Sequence, residues 1–154
     1  MIIIIEGPDG AGKTTLTNKL SRQNKYAILH RSQPKTDDEK THMMSEYVAV
    51  IKSSKNIILD RCWYSEMVYG PIMRDASVIS YPEMYELERL LAKAGAIVIY
   101  ATAPKAALWQ RCQKRGEDYI TSHATFCQIC DAYEQLMTAV PHYIPVLKYE
   151  YKEV

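Results

Sequence analysis

Short runs of apolar residues alternate along the chain with longer segments in which apolar residues recur at every third or fourth position. The first run consists of four consecutive isoleucines, which is typical of a strand covered on both faces. Pro145 confines the last run to the edge of a sheet, because proline has no N–H to donate to a neighbouring strand. The predicted strands are residues 2–5, 26–31, 56–60, 96–102 and 142–150.

The segments between these runs predict helices. Asp37 and Asp38 suit a helix N-terminus, where carboxylates face the positive end of the helix dipole. Gly95 is a typical helix stop, and Pro104 occupies the favoured first turn of the next helix. The predicted helices cover Lys13 to about Gln23, Asp37 or Asp38 to 53, a short stretch after 61, 81–95, 104–115 and 123–140.

Strands that alternate with helices in this way predict a parallel sheet with helices on both faces, in a single domain spanning 1–154.

The chain carries 19 basic and 18 acidic side chains, so any anion site must be local and no stable binding of nucleic acid is expected. No apolar run approaches the roughly 20 residues of a membrane span, and the first isoleucines lack the basic segment of a signal peptide. We therefore expect a cytoplasmic protein without membrane contacts.

Cys127 and Cys130 form a C-x-x-C pair, a spacing that also occurs in zinc and redox sites. No second pair follows to complete a tetrahedral zinc site, and the surrounding sequence looks helical. We expect reduced cysteines that serve in packing, as is usual in a reducing compartment.

The main chemical signal is residues 7–14, GPDGAGKT, which match G-x-x-x-x-G-K-[ST] between a predicted buried strand and a predicted helix. The glycines let backbone N–H groups point at phosphate oxygens, and the helix N-terminus adds its positive end. Lys13 should reach the terminal phosphates, and the hydroxyl of Thr14 should ligate Mg²⁺. The residues predicted to bind the phosphates of ATP are Gly10, Ala11, Gly12, Lys13, Thr14 and Thr15.

Asp60 ends the third predicted strand, where a carboxylate can hold Mg²⁺ through water or cap the following turn. GTPase switches, motor or transport ATPases and small-molecule kinases all share this arrangement. A GTPase switch should carry N-K-x-D late in the chain, but the Asn-Lys pairs at 18–19 and 24–25 are early and lack that aspartate. Motor ATPases usually need a longer chain, so we expect a kinase.

The polar residues after the second and third strands bear on the acceptor. A hydroxyl acceptor needs a carboxylate to take its proton, whereas a phosphate monoester needs cations that overcome the repulsion between two anions. The second strand ends in His30-Arg31, and Arg61 follows Asp60 directly, so two arginines are expected beside the phosphate loop. This pattern favours a monophosphate acceptor. Asp60 or Glu6 could serve as a base if the acceptor is a hydroxyl.

Arg111 and Arg115 lie four residues apart on one face of the helix that follows the fourth strand. Together with the loop after them they predict a lid at about 111–122, which would bring guanidinium groups to the transferred phosphoryl group and exclude water. The alternative is a basic helix end that complements the helix dipole.

Three segments, IIIIEGPDGAGKTTL, DRCWYSEMVYG and RCQKRGEDY, resemble the signature regions of thymidylate kinases, and the resemblance spans residues 2 to about 137. It implies the P-loop fold of nucleoside monophosphate kinases, an α/β fold with a five-stranded parallel sheet of order 2-3-1-4-5. It also implies Mg²⁺-dependent transfer of the ATP γ-phosphate to a deoxynucleoside 5′-monophosphate in nucleotide biosynthesis, with dTMP or a related pyrimidine nucleotide as acceptor. Members of that family are commonly dimers, which leaves a homodimer open.

The resemblance implies a role for each matching residue. Arg31 and Arg61 would grip the acceptor phosphate, and Asp9 would approach the 3′-hydroxyl of the acceptor sugar and the magnesium environment. Ser65 and Tyr69 would line the acceptor pocket, with the tyrosine leaving no room for a 2′-hydroxyl. The expected catalytic set is Lys13, Asp9, Arg61, Arg111 and Arg115, the last two matching the lid arginines.

The chain also departs from that family. Cys62 follows Arg61 where the family commonly has Tyr or His, and Asp118 stands where some members carry a further arginine. Gly70 replaces a Gln or Thr after the pocket tyrosine, and we expect it to enlarge the pocket or to leave one edge of the base unread. A bulkier or modified pyrimidine is therefore an option, and Tyr47 is a candidate for stacking on the base.

Two other functions stay open at this stage. A deoxynucleoside kinase, or a kinase of a hydroxyl on DNA, would need a proton-accepting acid at the end of the second strand, which this chain lacks. A non-catalytic module would bind ATP without transferring its phosphate, and would not need the paired lid arginines.

Overall fold

The computed structural model describes residues 1–31, 33–53, 55–116 and 122–150 of the chain. Within these residues, no helix is long and apolar enough to cross a membrane. The elements in chain order are β1 (Ile2–Glu6), α1 (Lys13–Asn24), β2 (Ala27–His30), α2 (Asp37–Ser53), β3 (Ile57–Asp60), α3 (Trp63–Arg74), α4 (Tyr81–Ala94), β4 (Ala96–Thr102), α5 (Lys105–Arg115), α6 (His123–Glu134), a π-helix (Gln135–Ala139) and β5 (Val146–Glu150).

The five strands form one parallel sheet in the order β2-β3-β1-β4-β5, which confirms the expected α/β fold and strand order. The central strand β1 is buried on both faces, as its run of isoleucines predicts. Ile2 and Ile4 belong to the larger core, which contains residues of α2, α3, α4 and α6. Ile3 and Ile5 lie in the smaller core on the opposite face, where Leu16 of α1 packs. Because the five strands are parallel, all of them end at the same edge of the sheet, where the phosphate loop follows β1.

Three elements differ from their predictions by more than one residue or in the type of helix. The helix expected to be short, α3, has twelve residues and continues through Gly70 and Pro71, both helix breakers by propensity, because packing against the core outweighs that local preference. The last long helix changes to a π-helix at Gln135. The final strand begins only after Pro145 and lies at the predicted sheet edge, beside β4.

A buried histidine ties the segment before β5 to α4. The Nδ1 atom of His142 lies 2.7 Å from Oε2 of Glu88, and its Nε2 atom lies 2.7 Å from the carbonyl oxygen of Leu136. A carboxylate and a carbonyl accept hydrogen bonds, so this geometry favours the imidazolium, which donates from both ring nitrogens. Burial alone would lower the pKa of His142, but the bonds to Glu88 and Leu136 outweigh burial and raise it.

We expect the contribution of His142 to stability to depend on pH. Its pKa is higher in the folded than in the unfolded chain, so its contribution is complete below the unfolded value of about 6.5 and is lost as the pH rises through the folded value. Urea unfolding of the wild type and of His142→Gln at about pH 6 and about pH 9 measures this. The difference in unfolding free energy should be larger at the lower pH. An equal difference at both would mean that His142 is neutral in the fold.

Candidate active site

The phosphate loop joins the central strand β1 to α1. Gly7 has a φ of 147°, and a Cβ there would lie 1.9 Å from the carbonyl oxygen of Ala101, so only glycine lets the loop pass this close to β4. Gly12 (φ 80°) adopts a left-handed backbone conformation, and α1 begins directly after it, at Lys13. The positive end of the α1 dipole therefore lies at the loop, as a phosphate site requires.

Lys13 is a buried cation within this loop. Its ammonium group donates a hydrogen bond of 2.7 Å to the carbonyl oxygen of Pro8. Burial lowers the pKa of Lys13 to about 7, helped by the positive charge of Arg61 and opposed by three nearby carboxylates. A buried ammonium needs a hydrogen-bond partner, and the loop's own carbonyl is one.

A cavity of about 210 Å³ opens over the loop, and we call it the donor cavity. Thr14 and Asp60, the two predicted magnesium ligands, both line it. Their oxygen atoms are the ligand type that Mg²⁺ prefers, so these residues fit the ion. Nδ1 of His30 lies 3.1 Å from Oδ2 of Asp60 and orients this carboxylate. Among the other predicted phosphate-binding residues, Gly10 and Gly12 line the cavity, Ala11 is buried and Thr15 is exposed.

A second cavity of about 270 Å³ adjoins the first, and we call it the acceptor cavity. Asp9, His30 and Arg61 line both cavities, so the two spaces meet at these side chains. The structure brings together in its wall every residue that the sequence predicts for the acceptor site. These residues are Asp9, Arg31, Arg61, Ser65 and Tyr69.

Arg61 occupies the boundary between the two cavities. It is the first residue after β3 and has a φ of 67°, a conformation that costs energy for residues other than glycine. Its guanidinium donates hydrogen bonds to Oδ1 of Asp9 at 2.5 Å, and to Oγ of Ser65 and the hydroxyl of Tyr133 at 3.3 Å each. Burial disfavours the charged form, but its tyrosine and carboxylate neighbours outweigh burial and raise the pKa of Arg61. It remains cationic.

Arg31 approaches the acceptor cavity from the end of β2. Its guanidinium donates to Oε2 of Glu46 on α2 at 3.2 Å and lies 5.5 Å from the centre of the Tyr47 ring. Its buried Nε–H finds no hydrogen-bond partner within the ranges that the structure describes. An unpaired buried donor is costly, so the group is suited to an incoming anion.

The part of the acceptor cavity away from the loop combines apolar and acidic side chains. Met43 and Tyr47 of α2 line it together with Pro34. Glu66 of α3 also lines it and is almost fully buried. Its carboxylate is ion-paired with Arg74, which supplies the partner that a buried charge requires.

Gly70 does not enlarge this cavity, so the first of the two alternatives expected for it was wrong, and the unread edge of the base stays a prediction. A Cβ at Gly70 would lie 2.7 Å from the carbonyl oxygen of Ala76 and 2.9 Å from Cα of Ser77, so the loop after α3 fills the space. This close approach accompanies a hydrogen bond of 2.9 Å from the Val78 N–H to Oε1 of Glu66. The missing side chain therefore lets the loop hold a carboxylate in the cavity wall.

The two predicted lid arginines have different surroundings. Arg111 donates a hydrogen bond of 3.0 Å to the carbonyl oxygen of Gly10, which ties α5 to the phosphate loop. Arg115, the last residue of α5, lines the donor cavity. The predicted lid at about 111–122 falls partly on residues 117–121, including Asp118, which lie outside the described residues.

Sequence reasoning missed two contributors to the site. Glu6 had been considered only as a base, yet its buried carboxylate accepts hydrogen bonds from the backbone and side chain of Ser65. The position of Glu6 directly before the loop is a signal that could have suggested this. Tyr133 bonds Arg61 from a distance of 72 residues along the chain, and no local pattern marks it.

A parallel sheet with a phosphate loop at the carboxyl end of its central strand, facing two adjoining cavities, is typical of the class of P-loop phosphotransferases. Residues 1–123 match the polyphosphate kinase 2 (PPK2) family, and the chain belongs to this family. Membership supports a kinase that handles nucleotide or polyphosphate groups. The thymidylate kinase subtype stays a prediction.

The chain is also similar to individual proteins. It is 30% identical over 137 residues to the SPbeta prophage-derived uncharacterized protein YorR of Bacillus subtilis (strain 168), a match that covers 89% of this chain and 82% of YorR. The crystal structure of YorR in complex with phosphorylated GDP has a TM-score of 0.83 at 27% identity, covering 97% of this chain and 85% of that one. Deoxyadenosine kinase from M. mycoides with bound dATP has a TM-score of 0.67 at 18% identity, covering 97% and 91% respectively, and shows likeness of fold alone.

Proposed function

We propose that the protein transfers the γ-phosphoryl group of ATP to a deoxynucleoside 5′-monophosphate and forms the diphosphate. The observation that carries this proposal is that Arg31 and Arg61 line one cavity directly beside the cavity over Lys13. Two unit charges about 4 Å apart interact by about 4 kcal/mol at an effective dielectric constant of about 20. Two guanidinium groups therefore suffice to offset much of the repulsion between an acceptor phosphate and a donor phosphate.

In this reaction an anionic oxygen of the acceptor phosphate attacks the γ-phosphorus, and the bond to the oxygen bridging the β- and γ-phosphorus atoms breaks. No proton has to leave the attacking oxygen, so no general base is needed. Lys13 and the loop N–H groups bind the donor phosphates, Arg61 holds the acceptor phosphate at the junction, and Arg115 faces the same space. Mg²⁺ held by Thr14 and, through water, by Asp60 would neutralise the donor phosphates.

The surroundings of the nearby carboxylates argue against a hydroxyl acceptor. Asp9 is bonded to Arg61, and Asp60 is bonded to His30. Glu6 is fully buried and accepts several hydrogen bonds. A base must reach the proton it removes, and each of these groups is already engaged.

The sugar and base parts of the cavity refine the proposal. The ring of Tyr69 lies 5.7 Å from the Arg61 guanidinium, where it would pack against the sugar and disfavour a 2′-hydroxyl. Glu66 offers a hydrogen-bond acceptor to the base. Cytosine, adenine and guanine carry an amino group that can donate to it, whereas thymine presents one N–H between two carbonyls. The guanine nucleotide in the YorR structure supports the same preference, which departs from the expected dTMP.

A panel of acceptors tests the proposed function. Deoxynucleoside monophosphates, the matching ribonucleotides and the parent deoxynucleosides are assayed with ATP and Mg²⁺, and with polyphosphate as an alternative donor. We expect turnover of deoxynucleoside monophosphates, with kcat/KM for dTMP about tenfold below that of the best amino-bearing base, since one charged hydrogen bond is lost. Faster turnover of the deoxynucleosides would mean that the acceptor is a hydroxyl. ATP binding without transfer to any acceptor would favour a non-catalytic module.

A further inference from the structure

Glu6 is a buried carboxylate whose two oxygens both accept hydrogen bonds. It ends β1 and has no exposed surface. Its Oε1 atom accepts from the backbone N–H groups of Cys62 at 2.7 Å and Ser65 at 3.1 Å. Its Oε2 atom accepts from Oγ of Ser65 at 2.7 Å and from the hydroxyl of Tyr133 at 3.3 Å. These four donors satisfy the carboxylate and fix it behind the first turn of α3.

The same two hydroxyls contact Arg61. Ser65 Oγ and the Tyr133 hydroxyl each accept a hydrogen bond of 3.3 Å from Nη1 of this arginine. A hydroxyl has one proton to donate, and an ionised carboxylate can only accept. The Ser65 proton therefore points at Glu6, and the Tyr133 proton points into the same pair, at Oε2 of Glu6 or at Oγ of Ser65, which lies 3.0 Å away. In both arrangements lone pairs of the two hydroxyls are left for Arg61.

The direction of these hydrogen bonds depends on the charge of Glu6. Burial is the main cause that raises the pKa of the Tyr133 phenol, and the nearby charge of Glu6 raises it further. This hydroxyl therefore keeps its proton and remains a donor towards the carboxylate. If a neutral amide replaced the carboxylate, its NH₂ would face donors in either orientation. Turned towards the hydroxyls, it would direct their protons at the Arg61 guanidinium. Turned towards the α3 backbone, it would meet the N–H groups of Cys62 and Ser65.

We propose that Glu6 is a positioning residue that acts through Ser65 and Tyr133 to hold the Arg61 guanidinium at the acceptor phosphate. This inference rests on the proposed function, because it takes Arg61 as the group that binds the monophosphate. Arg61 follows a strand end in a left-handed backbone conformation, so no regular element fixes the direction of its side chain. Asp9 binds one end of the guanidinium, and the two hydroxyls, one from α3 and one from α6, hold its other nitrogen.

Two variants test this role. Glu6→Gln reverses the hydrogen-bond polarity at nearly constant volume, and Tyr133→Phe removes only one hydroxyl. Glu88→Gln is the matched control, because Glu88 is equally buried but bonds Tyr64 and His142 instead. The measurements are calorimetric titration with a deoxynucleoside monophosphate and separately with ATP, steady-state kinetics for both substrates, and the melting temperature of each protein.

We expect Glu6→Gln to weaken monophosphate binding and to raise its KM by about tenfold, because it reverses the polarity of the whole hydrogen-bond network. Tyr133→Phe should raise this KM by about threefold, because it removes only one of the three side chains that bond Arg61. The Kd for ATP should stay within about twofold in both variants, a shift of less than half a kcal/mol. Glu88→Gln should lower the melting temperature without changing the KM for the monophosphate.

Suppose that the wild type turns the monophosphate over, but Tyr133→Phe and folded Glu6→Gln bind it as the wild type does. This result would overturn the role of Glu6 and leave the proposed function intact. A loss of kcat in Glu6→Gln that is restored by raising the pH, with KM unchanged, would assign Glu6 as a base instead. If the wild type binds no monophosphate, both the function and this inference fail. Should Glu6→Gln not fold, Tyr133→Phe decides the question alone.

Discussion

Replacing Arg61 by alanine is expected to lower kcat/KM for the monophosphate by about 100-fold to 1,000-fold, the range found when one charge-stabilising donor is removed from a reacting site. Arg61 lines both cavities and its guanidinium is oriented by three side chains, so its loss removes the cation held at the junction. The Kd for ATP should change little, since Lys13 and the loop hold the donor. Steady-state kinetics and calorimetry measure the two effects separately.

Two further variants sharpen this prediction. Arg61→Lys keeps the charge but loses the planar fork, and we expect it to recover only part of the activity. Arg89→Ala removes an exposed arginine of α4 that bonds Tyr143, and it should behave like the wild type. Near-normal turnover of every monophosphate by Arg61→Ala would contradict the acceptor assignment.

Replacing Lys13 by methionine is expected to lower kcat/KM by about 100-fold or more, because the donor phosphates lose their buried cation. The same change should leave the unliganded protein as stable as the wild type or more stable. The ammonium is desolvated and donates a hydrogen bond to the carbonyl of Pro8, whereas methionine fills a similar volume without a charge. Activity assays and melting temperatures without nucleotide measure both effects.

Lys19→Met is the matched control for this experiment. Lys19 is exposed on the same helix, α1, so its replacement should affect neither turnover nor nucleotide binding. Addition of ATP and Mg²⁺ should raise the melting temperature of the wild type and of Lys19→Met, but hardly that of Lys13→Met. A strong loss of stability in unliganded Lys13→Met would show that the ammonium supports the loop itself, and the activity loss would then not report on phosphate binding.

The fold could be predicted because its signals are local. A run such as Ile2–Ile5 is apolar at consecutive positions, and only a strand covered on both faces accommodates that pattern. The phosphate loop is likewise a local signal. Its glycines stand at fixed distances before the start of a helix, and each of these positions has its own backbone requirement. Arg31 and Arg61 were found because residues after neighbouring parallel strands meet at one edge of the sheet.

The contacts that orient those residues could not be predicted from the sequence. A wider pocket was one of two alternatives expected for Gly70, but whether a missing side chain leaves a void depends on what packs there, and here the 76–77 backbone fills it. Glu6 looked like a possible base until its four donors were located.

The sequence by itself thus determined a parallel α/β sheet, a phosphate loop and two arginines at its edge, because these follow from periodicity, spacing and strand order along the chain. Only the tertiary structure decided that Tyr133, 72 residues away from Arg61, completes the support of its guanidinium. It also decided that the two cavities meet at Asp9, His30 and Arg61. Such contacts join distant segments, and no local pattern encodes the distance or the direction of a hydrogen bond between them.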